Sequence, residues 1–529
     1  MVDVLVIGAG GAGLVAALSA KEAGASVKVL TKTYPTRSQT CMAQGGINAA
    51  LSNAGEDSIE SHYENTLKSA HGIADETMVK KLCDEGVDAV LWLDSIGVPF
   101  SRDENGNIAQ RRLGGASAPR ACYAQDYTGL KILHTLYDQC NANDIEMLSE
   151  RFLLELIVED GEVGGAVVLD LKTGKIETHT AKSVILATGG YSRIYGKNST
   201  NAVGSTGDGI AAALRAGAKL SDMEFVQFHP TGLKNSSILI SESARGEGGY
   251  LLNKEGERFT DELAPRDMVS RAIYEEIQKS GEVYIDIRHL GEEFIDHQLP
   301  QERKLARLYE NVDPVHDIIP IKPVAHYTMG GIAVDASSQT SIKALFAVGE
   351  CANHKVHGAN RLGGNSLLEL IVFGREAGKN ASSSAKQSTF VPEEPQNYDA
   401  LLKDVNNSAD GVDFYKKRDE LADCFYEKVG IKRNDAELQQ AAKFLKSVKE
   451  QLPHMGVRDT NPIYNTELVE FLEFHNLLEI SEAVVLGAMK RKESRGAHFR
   501  DDMPSESDEF QTNTIYYKNG DELCIDLTR

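Results

Sequence analysis

The length, composition and charge of this chain are those of a large globular protein. It has 529 residues, of which 41% are hydrophobic and 25% charged, and at about 150 residues per domain this length predicts about two to four domains. The composition excludes a collagen-like repeat and disorder over the whole chain. With 56 basic and 78 acidic residues the formal net charge is −22, which argues against nucleic acid or an anionic membrane surface as the main partner.

The cysteines are odd in number and scattered along the chain. They are Cys41, Cys83, Cys122, Cys140, Cys351, Cys424 and Cys524, and no two of them form a CxxC motif. This pattern fits a reducing compartment better than a disulfide framework, and it predicts no iron–sulfur or zinc site built from this chain alone. The sequence has no apolar run of about 18 residues and no segment typical of an export signal, so we expect neither a membrane span nor export.

The chain opens with a strand, a glycine-rich turn and a helix. Residues 2–7 are an apolar, mostly β-branched run that predicts a buried parallel strand. A helix-like stretch over residues 14–23 and a second strand over residues 27–30 follow. The intervening GxGxxG permits a tight turn and close approach of a pyrophosphate to a helix N-terminus; the alternative is a tight turn without a ligand. The residues of this predicted dinucleotide-binding turn are Gly8, Ala9, Gly10, Gly11, Ala12 and Gly13.

The ends of three predicted strands favour FAD over NAD. An NAD site usually has an Asp or Glu at the end of the second strand, whereas residues 30–32 read Leu-Thr-Lys. Residues 183–190 form an apolar strand that ends in Ala-Thr-Gly-Gly, and residues 345–350 form another that ends in Gly-Glu. Both endings recur in large FAD-binding Rossmann enzymes, in which the acid at the second ending reaches the ribose. We therefore predict FAD as the cofactor.

Nine longer motifs connect the chain with a known family. They follow the family's order from the N-terminus to about residue 502, at residues 36–38, 43–46, 206–209, 224–232, 245–249, 264–267, 325–331, 357–363 and 491–498. On these motifs the chain resembles the flavoprotein subunit of succinate dehydrogenase and fumarate reductase, with L-aspartate oxidase as a near relative. So many ordered motifs are specific for this superfamily.

The resemblance implies an α/β fold divided into domains. A Rossmann-like FAD-binding domain takes residues 1–225 and 326–390, and an α+β capping domain, residues 226–325, is inserted into it. A helical domain over residues 398–500 follows, and a short C-terminal β tail occupies residues 501–529.

Local patterns in the second half of the chain agree with this layout. Residues 382–397 are rich in Ser, Gln and Pro and predict a linker. Apolar residues over 438–448 follow helical spacing. Near the C-terminus, the apolar runs 514–517 and 523–525 flank Lys-Asn-Gly-Asp and predict a β-hairpin.

The chemistry of the family requires groups that hold two carboxylates in a cleft closed to water. The positions that match the family's motifs imply a dicarboxylate clamp, and Arg361 is suited to a bidentate carboxylate contact. The clamp residues are His229, Ser241, His326 and Arg361.

The same transfer implies a group of catalytic residues. Arg266 resembles the family's proton donor to the double bond, and Glu242 and Arg245 resemble the relay that returns its proton; His229 belongs to this group as well as to the clamp. An arginine acid is unexpected, because its pKa lies above about 12. It becomes reasonable beside another arginine and a relaying carboxylate in a closed cleft.

The resemblance also implies FAD contacts from many short segments and no metal ligand in this chain. Besides the glycine turn, the implied contact residues are Leu30, Thr31, Lys32, Ser38, Gln39, Thr40, Ala43, Gly45, Gly46, Phe152, Ala187, Thr188, Gly189, Asp222, His326, Tyr327, Glu350, Arg361, Asn365, Ser366 and Leu367.

One departure from the family concerns the attachment of the flavin. Most of the family has Arg-Ser-His-Thr where this chain has Gln39 in place of the His, and that His bonds covalently to the flavin 8α-methyl carbon. A Gln amide lacks the nucleophilic imidazole nitrogen, so we predict non-covalent FAD; the alternative is a link through Cys41. An unlinked flavin should have a lower potential, which favours fumarate reduction over succinate oxidation unless the partner's potential reverses this.

Two alternative functions compete with a fumarate/succinate oxidoreductase. L-aspartate oxidases place a carboxylate where this chain has Leu113, and a leucine offers nothing to a buried ammonium. The C-terminal hairpin also resembles the dehydrogenase/reductase branch more than the oxidase. A non-catalytic FAD-fold binding protein would have no reason to keep Arg266, His326 and Arg361 together in intact motifs.

The resemblance also implies partner subunits. The flavin accepts two electrons, and this chain has no metal centre to pass them on singly. We therefore expect an iron–sulfur subunit docked near the flavin, attached in turn to a membrane anchor or a soluble donor subunit. The expected location is cytoplasmic, on the inner face of the membrane through these partners.

Overall fold

The computed structural model describes residues 1–390, 402, 405 and 411–528. Its strands in chain order are β1 (Val2–Ile7), β2 (Val27–Thr31), β3 (Ile47–Asn48), β4 (Gln110–Arg111), β5 (Ala121–Cys122), β6 (Glu146–Ser149), β7 (Arg151–Glu159), β8 (Glu162–Asp170), β9 (Lys175–Leu186), β10 (Leu220–Ser221), β11 (Val226–Leu233), β12 (Tyr250–Asn253), β13 (Val283–Asp286), β14 (Ile319–Thr328), β15 (Gly331–Ala333), β16 (Leu345–Ala347), β17 (Ala352–Asn353), β18 (Asn513–Asn519) and β19 (Glu522–Thr528). Its α-helices are α1 (Gly11–Glu22), α2 (Ile59–Ser69), α3 (Glu76–Asp84), α4 (Gly86–Ser95), α5 (Thr128–Ala142), α6 (Asp208–Arg215), α7 (Glu242–Gly246), α8 (Arg266–Ser280), α9 (Glu292–Gln298), α10 (Pro300–Tyr309), α11 (Asn365–Gln387), α12 (Phe414–Lys428), α13 (Asp435–Gln451) and α14 (Thr466–Lys490). None of the helices in these residues is long and apolar enough to cross a membrane.

A seven-stranded sheet forms the centre of the FAD-binding part. Its order is β6-β2-β1-β9-β8-β7, and β16 also pairs with β9. Strand β1 runs parallel to β2 and β9, as the apolar opening run predicts for a strand buried on both faces. Helix α1 begins at Gly11, three residues before the expected start at residue 14, because the glycines after Gly10 already adopt helical geometry. The N-terminus of α1 therefore faces the C-terminal end of β1.

The inserted segment is built around a second, antiparallel sheet. Its order is β11-β14-β13-β12, and it shares a separate apolar core with α8 to α10, which includes Ile285 and Ile321. The last strand, β14, continues to Thr328, so the expected domain boundary at residue 325 falls inside a strand. His326 is therefore fixed by the sheet.

The expected linker over residues 382–397 is wrong at its start. Residues 382–387 belong to α11, which packs along α1. Ser382 and Ala385 are buried on that helix, and the Ser382 hydroxyl donates a hydrogen bond to the Ala23 carbonyl at 3.3 Å. Small side chains here serve close helix packing. Residues 391–397 lie outside the described residues.

The C-terminal part is helical and ends in the predicted hairpin. The residues expected on one helix face lie in α13, where Leu438, Ala441, Leu445 and Val448 are buried. Strands β18 and β19 pair antiparallel, and β18 also pairs with β10 of the FAD-binding part. The hairpin is thus a structural member of a five-stranded sheet, in the order β17-β15-β10-β18-β19.

A buried ion pair connects the C-terminal part to the FAD-binding part. Arg491 Nε donates to Glu224 Oε1 at 2.7 Å, and both side chains are fully buried. The Tyr516 hydroxyl donates to the other oxygen of Glu224 at 2.7 Å. Burial would raise the pKa of Glu224, but the Arg491 charge and the hydrogen bonds from Thr514, Arg491 and Tyr516 together outweigh it and hold the pKa below its usual range. The motif at residues 491–498 therefore has a structural role here.

Candidate active site

A cavity of about 560 Å³ lies where the FAD-binding part meets the inserted segment. Its walls are the glycine turn after β1, the loop 37–46, the ends of β9 and β16, and side chains of the inserted segment. Most of the predicted cofactor residues and all four predicted clamp residues therefore face one common space.

Two positions of the glycine turn pack too closely for a side chain. Gly8 has φ +110°, and a Cβ atom there would lie 2.1 Å from the Ala187 carbonyl oxygen. A Cβ atom at Gly13 would lie 2.0 Å from the Gly8 carbonyl oxygen. The first glycine thus allows the turn beside β9, and the third allows close packing of α1.

Several polar groups of the cavity wall fit a bound FAD. The hydroxyl oxygens of Ser38 and Thr188 are buried and find no hydrogen-bond partner in the described part of the chain. Burial raises the pKa of Glu350 to about 7, and hydroxyl donors of a ligand would favour its charged form. Polar groups left unsatisfied in a site shaped by glycines are consistent with a dinucleotide.

Gln39 lines the cavity and is held by the backbone. Its Oε1 accepts a hydrogen bond from the Ala202 N–H at 2.7 Å. Cys41, the alternative nucleophile, is not among the lining residues. Burial raises the pKa of the Cys41 thiol, which disfavours the reactive thiolate.

The other end of the cavity is lined by the predicted dicarboxylate residues. His229 lies on β11, His326 on β14, and Arg266 at the start of α8. The complete set of predicted clamp and catalytic residues in the wall is His229, Ser241, Glu242, Arg266, His326 and Arg361. Arg245 does not line the cavity but lies behind Glu242.

Arg266, Glu242 and Arg245 form a buried ladder of alternating charge. Arg266 Nε donates to Glu242 Oε2 at 2.9 Å, and Arg245 Nη2 lies 3.7 Å from Glu242 Oε1. Burial would raise the pKa of Glu242, but the charges of Arg266 and Arg245 outweigh it and hold the pKa below its usual range. Burial lowers the pKa of Arg245. The ladder leads from the cavity wall into the inserted segment.

Gln227 connects the two cavity arginines and was missed as a site residue. Its Oε1 accepts from Arg266 Nη1 at 3.0 Å and from Arg361 Nη2 at 3.1 Å. Its amide nitrogen donates to the Arg361 carbonyl at 2.8 Å. One signal was available, because Gln227 is two residues from His229 on a strand, the spacing that places side chains on one face.

The two cavity histidines are neutral. Burial lowers the pKa of His229 and His326 well below the ordinary value, and the charge of Arg266 acts in the same direction. His229 Nδ1 accepts from the Thr231 N–H at 3.2 Å, so its proton belongs on Nε2. The rings of the two histidines lie 4.9 Å apart. His229 can therefore donate a hydrogen bond from Nε2.

Arg361 is held above an aromatic ring. Its guanidinium carbon lies 4.3 Å from the centre of the Tyr327 ring, a cation–π contact. Burial lowers the pKa of Arg361 to about 10, and the neighbouring charge of Arg266 acts in the same direction. Arg361 Nε is buried without a hydrogen-bond partner among the described residues. The charges of Arg361 and Arg266 on one wall of the cavity favour an anion there.

Five predicted cofactor residues do not line the cavity. Asp222 is buried and accepts hydrogen bonds from Asn353, Asn513 and Thr514. Asn365 bonds to Asn48. The remaining three lie in the packed interior, namely Gly13, Leu30 and Phe152. A direct FAD contact by any of the five stays a prediction.

Leu113 lines the cavity and is 2% exposed. It precedes Gly114, whose N–H donates to Glu242 Oε1 at 2.8 Å. The side chain at this position is thus apolar and close to the ladder.

The fold and this cavity define an FAD-binding oxidoreductase, and comparisons with known proteins give the family. The sequence matches the FAD binding domain family over residues 3–367 and the fumarate reductase flavoprotein C-terminal family over residues 418–528. The 8-methylmenaquinol:fumarate reductase flavoprotein subunit of Wolinella succinogenes is 41% identical, covering 94% of this chain and 86% of that protein. The succinate dehydrogenase flavoprotein subunit of Rickettsia bellii is 40% identical, covering 97% and 92%.

Solved structures agree with this result. A quinol-fumarate reductase with menaquinol molecules superimposes with a TM-score of 0.95 and 37% identity, covering 100% of this chain and 98% of that chain. The chain belongs to the family of fumarate reductase and succinate dehydrogenase flavoprotein subunits. The family and the fold class predicted from the motifs are confirmed.

Proposed function

We propose that this chain interconverts fumarate and succinate as the FAD-dependent flavoprotein subunit of a fumarate reductase/succinate dehydrogenase. The observation that carries the proposal is one cavity in which the glycine turn for FAD meets the ladder of Arg266, Glu242 and Arg245. L-aspartate oxidase is not favoured, because the relatives are reductases and dehydrogenases and because Leu113 offers no partner to an ammonium.

The cationic wall would bind the two carboxylates of the substrate. Arg361 is placed for a bidentate carboxylate contact, and His229, Ser241 and His326 would complete the clamp. Bound FAD supplies or accepts the hydride. Residues 226–325 would act as the cap that excludes water from the cavity.

The ladder would supply the proton that balances the hydride. In fumarate reduction, the Arg266 guanidinium gives one proton to a carbon of the double bond. Arg245 then gives a proton to the Glu242 carboxylate, and Glu242 passes a proton on to the neutral Arg266. Burial favours the neutral form of Arg245, so it can release a proton, which solvent then restores. The net change is one hydride and one proton added to fumarate.

Cofactor attachment, partners and location belong to the proposal as well. FAD is held without a covalent bond, because the Gln39 amide has no nucleophilic nitrogen and Cys41 does not line the cavity. The relatives are subunits of larger complexes, and an iron–sulfur subunit with a membrane anchor or soluble donor is the partner that one-electron transfer requires. We expect the chain at the cytoplasmic face of the inner membrane through these partners. The lower potential expected of an unlinked flavin favours fumarate reduction.

Dye-linked turnover of the purified, FAD-loaded chain tests the proposal. With a reduced viologen as donor, addition of fumarate should oxidise the dye, and addition of L-aspartate under oxygen should not produce peroxide. Peroxide formed from L-aspartate, without dye oxidation by fumarate, would assign the chain to the oxidases.

A further inference from the structure

Asp126 and Glu302 form a buried pair of carboxyl groups outside the active site. Asp126 lies just before α5 in the FAD-binding part, and Glu302 lies in the first turn of α10 in the inserted segment. Both are 0% exposed, and neither lines the cavity. Two buried carboxylates at one boundary would be costly if both were charged.

The hydrogen bonds of the pair leave one oxygen of each group without a partner. Asp126 Oδ2 accepts from the backbone N–H groups of Gln301 at 2.7 Å and Glu302 at 3.2 Å. Glu302 Oε1 accepts from the Ser241 N–H at 3.1 Å. Asp126 Oδ1 and Glu302 Oε2 are buried and have no hydrogen-bond partner within residues 1–390 or the other described positions. One proton held by the pair would remove one of the two buried negative charges.

The surroundings favour the proton on Glu302. Two N–H groups at the start of α10 stabilise a negative charge on Asp126, whereas Glu302 accepts from only one. Burial raises the pKa of Glu302 well above its usual range, and the Asp126 charge acts in the same direction. Burial also raises the pKa of Asp126, to about 6.

One cation faces this pair. Arg111, on β4, interacts with both carboxyl groups, but it also lies 3.7 Å from Glu247, which follows α7. The neighbouring Arg303 is committed elsewhere, to Asp313 and Asp296. Tyr127 also interacts electrostatically with both carboxyl groups, while Tyr123 and Glu247 interact with Arg111. The single shared arginine leaves one carboxyl group of the pair in need of a proton.

We propose that Asp126 and Glu302 share one proton across the boundary between the FAD-binding part and the inserted segment, and that this proton holds α10 and Ser241 in place. Ser241 caps α7, the helix that carries Glu242 and Arg245. Glu302 is thus a positioning residue for the ladder. The inference goes beyond the proposed function and does not depend on which substrate is used.

The sign of the pH dependence follows from the raised pKa. Glutamate titrates near 4.3 in an unfolded chain, so between that value and the raised pKa the folded state binds more protons than the unfolded state. The boundary contact therefore weakens as pH rises through this interval, by up to about tenfold per pH unit for one proton. In Glu302→Gln the neutral amide removes one of the two charges at every pH, and its oxygen can still accept from the Ser241 N–H.

Hydrogen exchange of the FAD-loaded full chain tests the proposal. The protection of the backbone amides of Ser241, Gln301 and Glu302 would be measured in the wild type and in Glu302→Gln from about pH 5 to about pH 9. Protection in the wild type should fall relative to the variant as pH rises. The control Glu293→Gln removes a carboxylate from an exposed position of the same segment, and it should follow the wild type.

Two further measurements keep the proposal open to refutation. Asp126→Asn should weaken the pH dependence, because it removes the negative charge that acts on Glu302. The wild type should show an infrared carbonyl band of a protonated carboxylic acid that is absent from Glu302→Gln. The proposal would be overturned if the ratio of wild-type to Glu302→Gln protection stayed constant with pH. It would also be overturned if the carbonyl band were absent from the wild type or present in both proteins. Turnover enters neither measurement, so failure here is separate from failure of the proposed function.

Discussion

Arg266 presents two of its guanidinium nitrogens to one oxygen of Glu242. Nε donates to Glu242 Oε2 at 2.9 Å, and Nη2 donates to the same atom. The third nitrogen, Nη1, donates to Gln227 Oε1 at 3.0 Å. Because both side chains are buried, these contacts fix the plane of the guanidinium at the cavity wall and connect it directly to the group that would restore its proton.

Replacing Arg361 should weaken substrate binding. Arg361→Gln removes a charged, bidentate contact worth about 1.5–3 kcal/mol, so the Kd for fumarate should rise by roughly ten- to a hundredfold, with a lower rate as well. Equilibrium titration of the FAD-loaded variant measures this. Arg375→Gln is a matched control, since Arg375 stacks on Trp92 and does not line the cavity. An unchanged Kd in Arg361→Gln would remove Arg361 from the clamp.

A carboxylate at position 113 should make the cavity less selective for a dicarboxylate such as fumarate. Leu113→Glu places a negative charge beside Glu242, which repels a dianion and offers a partner to an ammonium. We expect the KM for fumarate to rise at least about tenfold, equivalent to about 1.4 kcal/mol. Leu113→Met, which keeps an apolar side chain of similar size, should retain wild-type kinetics. Equal fumarate kinetics in the two variants would show that position 113 does not face the substrate.

A substitution at Gly10, the second glycine of the turn, should impair cofactor binding without preventing folding. A Cβ atom at Gly10 would lie 3.5 Å from Thr40 Oγ1, an ordinary contact, so Gly10→Ala should fold. Its methyl group would occupy the approach to the α1 N-terminus, and FAD content should fall sharply. Gly86→Ala, with a Cβ contact of 3.3 Å to Leu368 outside the cavity, should retain FAD. Absorbance of the purified proteins measures both. Full FAD content in Gly10→Ala would move the pyrophosphate away from this turn.

Acid denaturation distinguishes non-covalently bound FAD from covalently attached FAD. With Gln39 at the position of the linking residue, we expect a yellow supernatant and an intact mass equal to that of the unmodified chain. A chain heavier by one FAD would contradict non-covalent binding. If that mass reverted in Cys41→Ser, the link would be through Cys41.

The features that could be predicted from the sequence are those set by residues close together in the chain. The turn from Gly8 to Gly13 is predictable because close backbone contacts restrict Gly8 and Gly13 to glycine, and His229 and Arg266 stand in motifs long enough to identify the family. The composition of residues 382–387 misleads, because Ser and Ala suit a linker and a tightly packed helix equally well.

Other features depend on residues that only the fold brings together. Gln227 and Arg266 are 39 residues apart in the chain, and Asp126 is 176 residues from Glu302. No local pattern marks such a pair. For the same reason the resemblance could not show that Asp222 and Asn365 form hydrogen bonds with side chains of the protein itself.

The most direct test of the account is the turnover of Arg266→Gln together with its affinity for fumarate. We predict that the FAD-loaded variant loses at least about 10²–10⁴-fold in rate, the contribution of a positioned acid, while the Kd for fumarate stays within about tenfold of the wild type. Arg271→Gln is the matched control on the same helix, because Arg271 pairs with Asp267 and does not line the cavity. Near-normal turnover of Arg266→Gln would contradict the assignment of Arg266 as the proton donor.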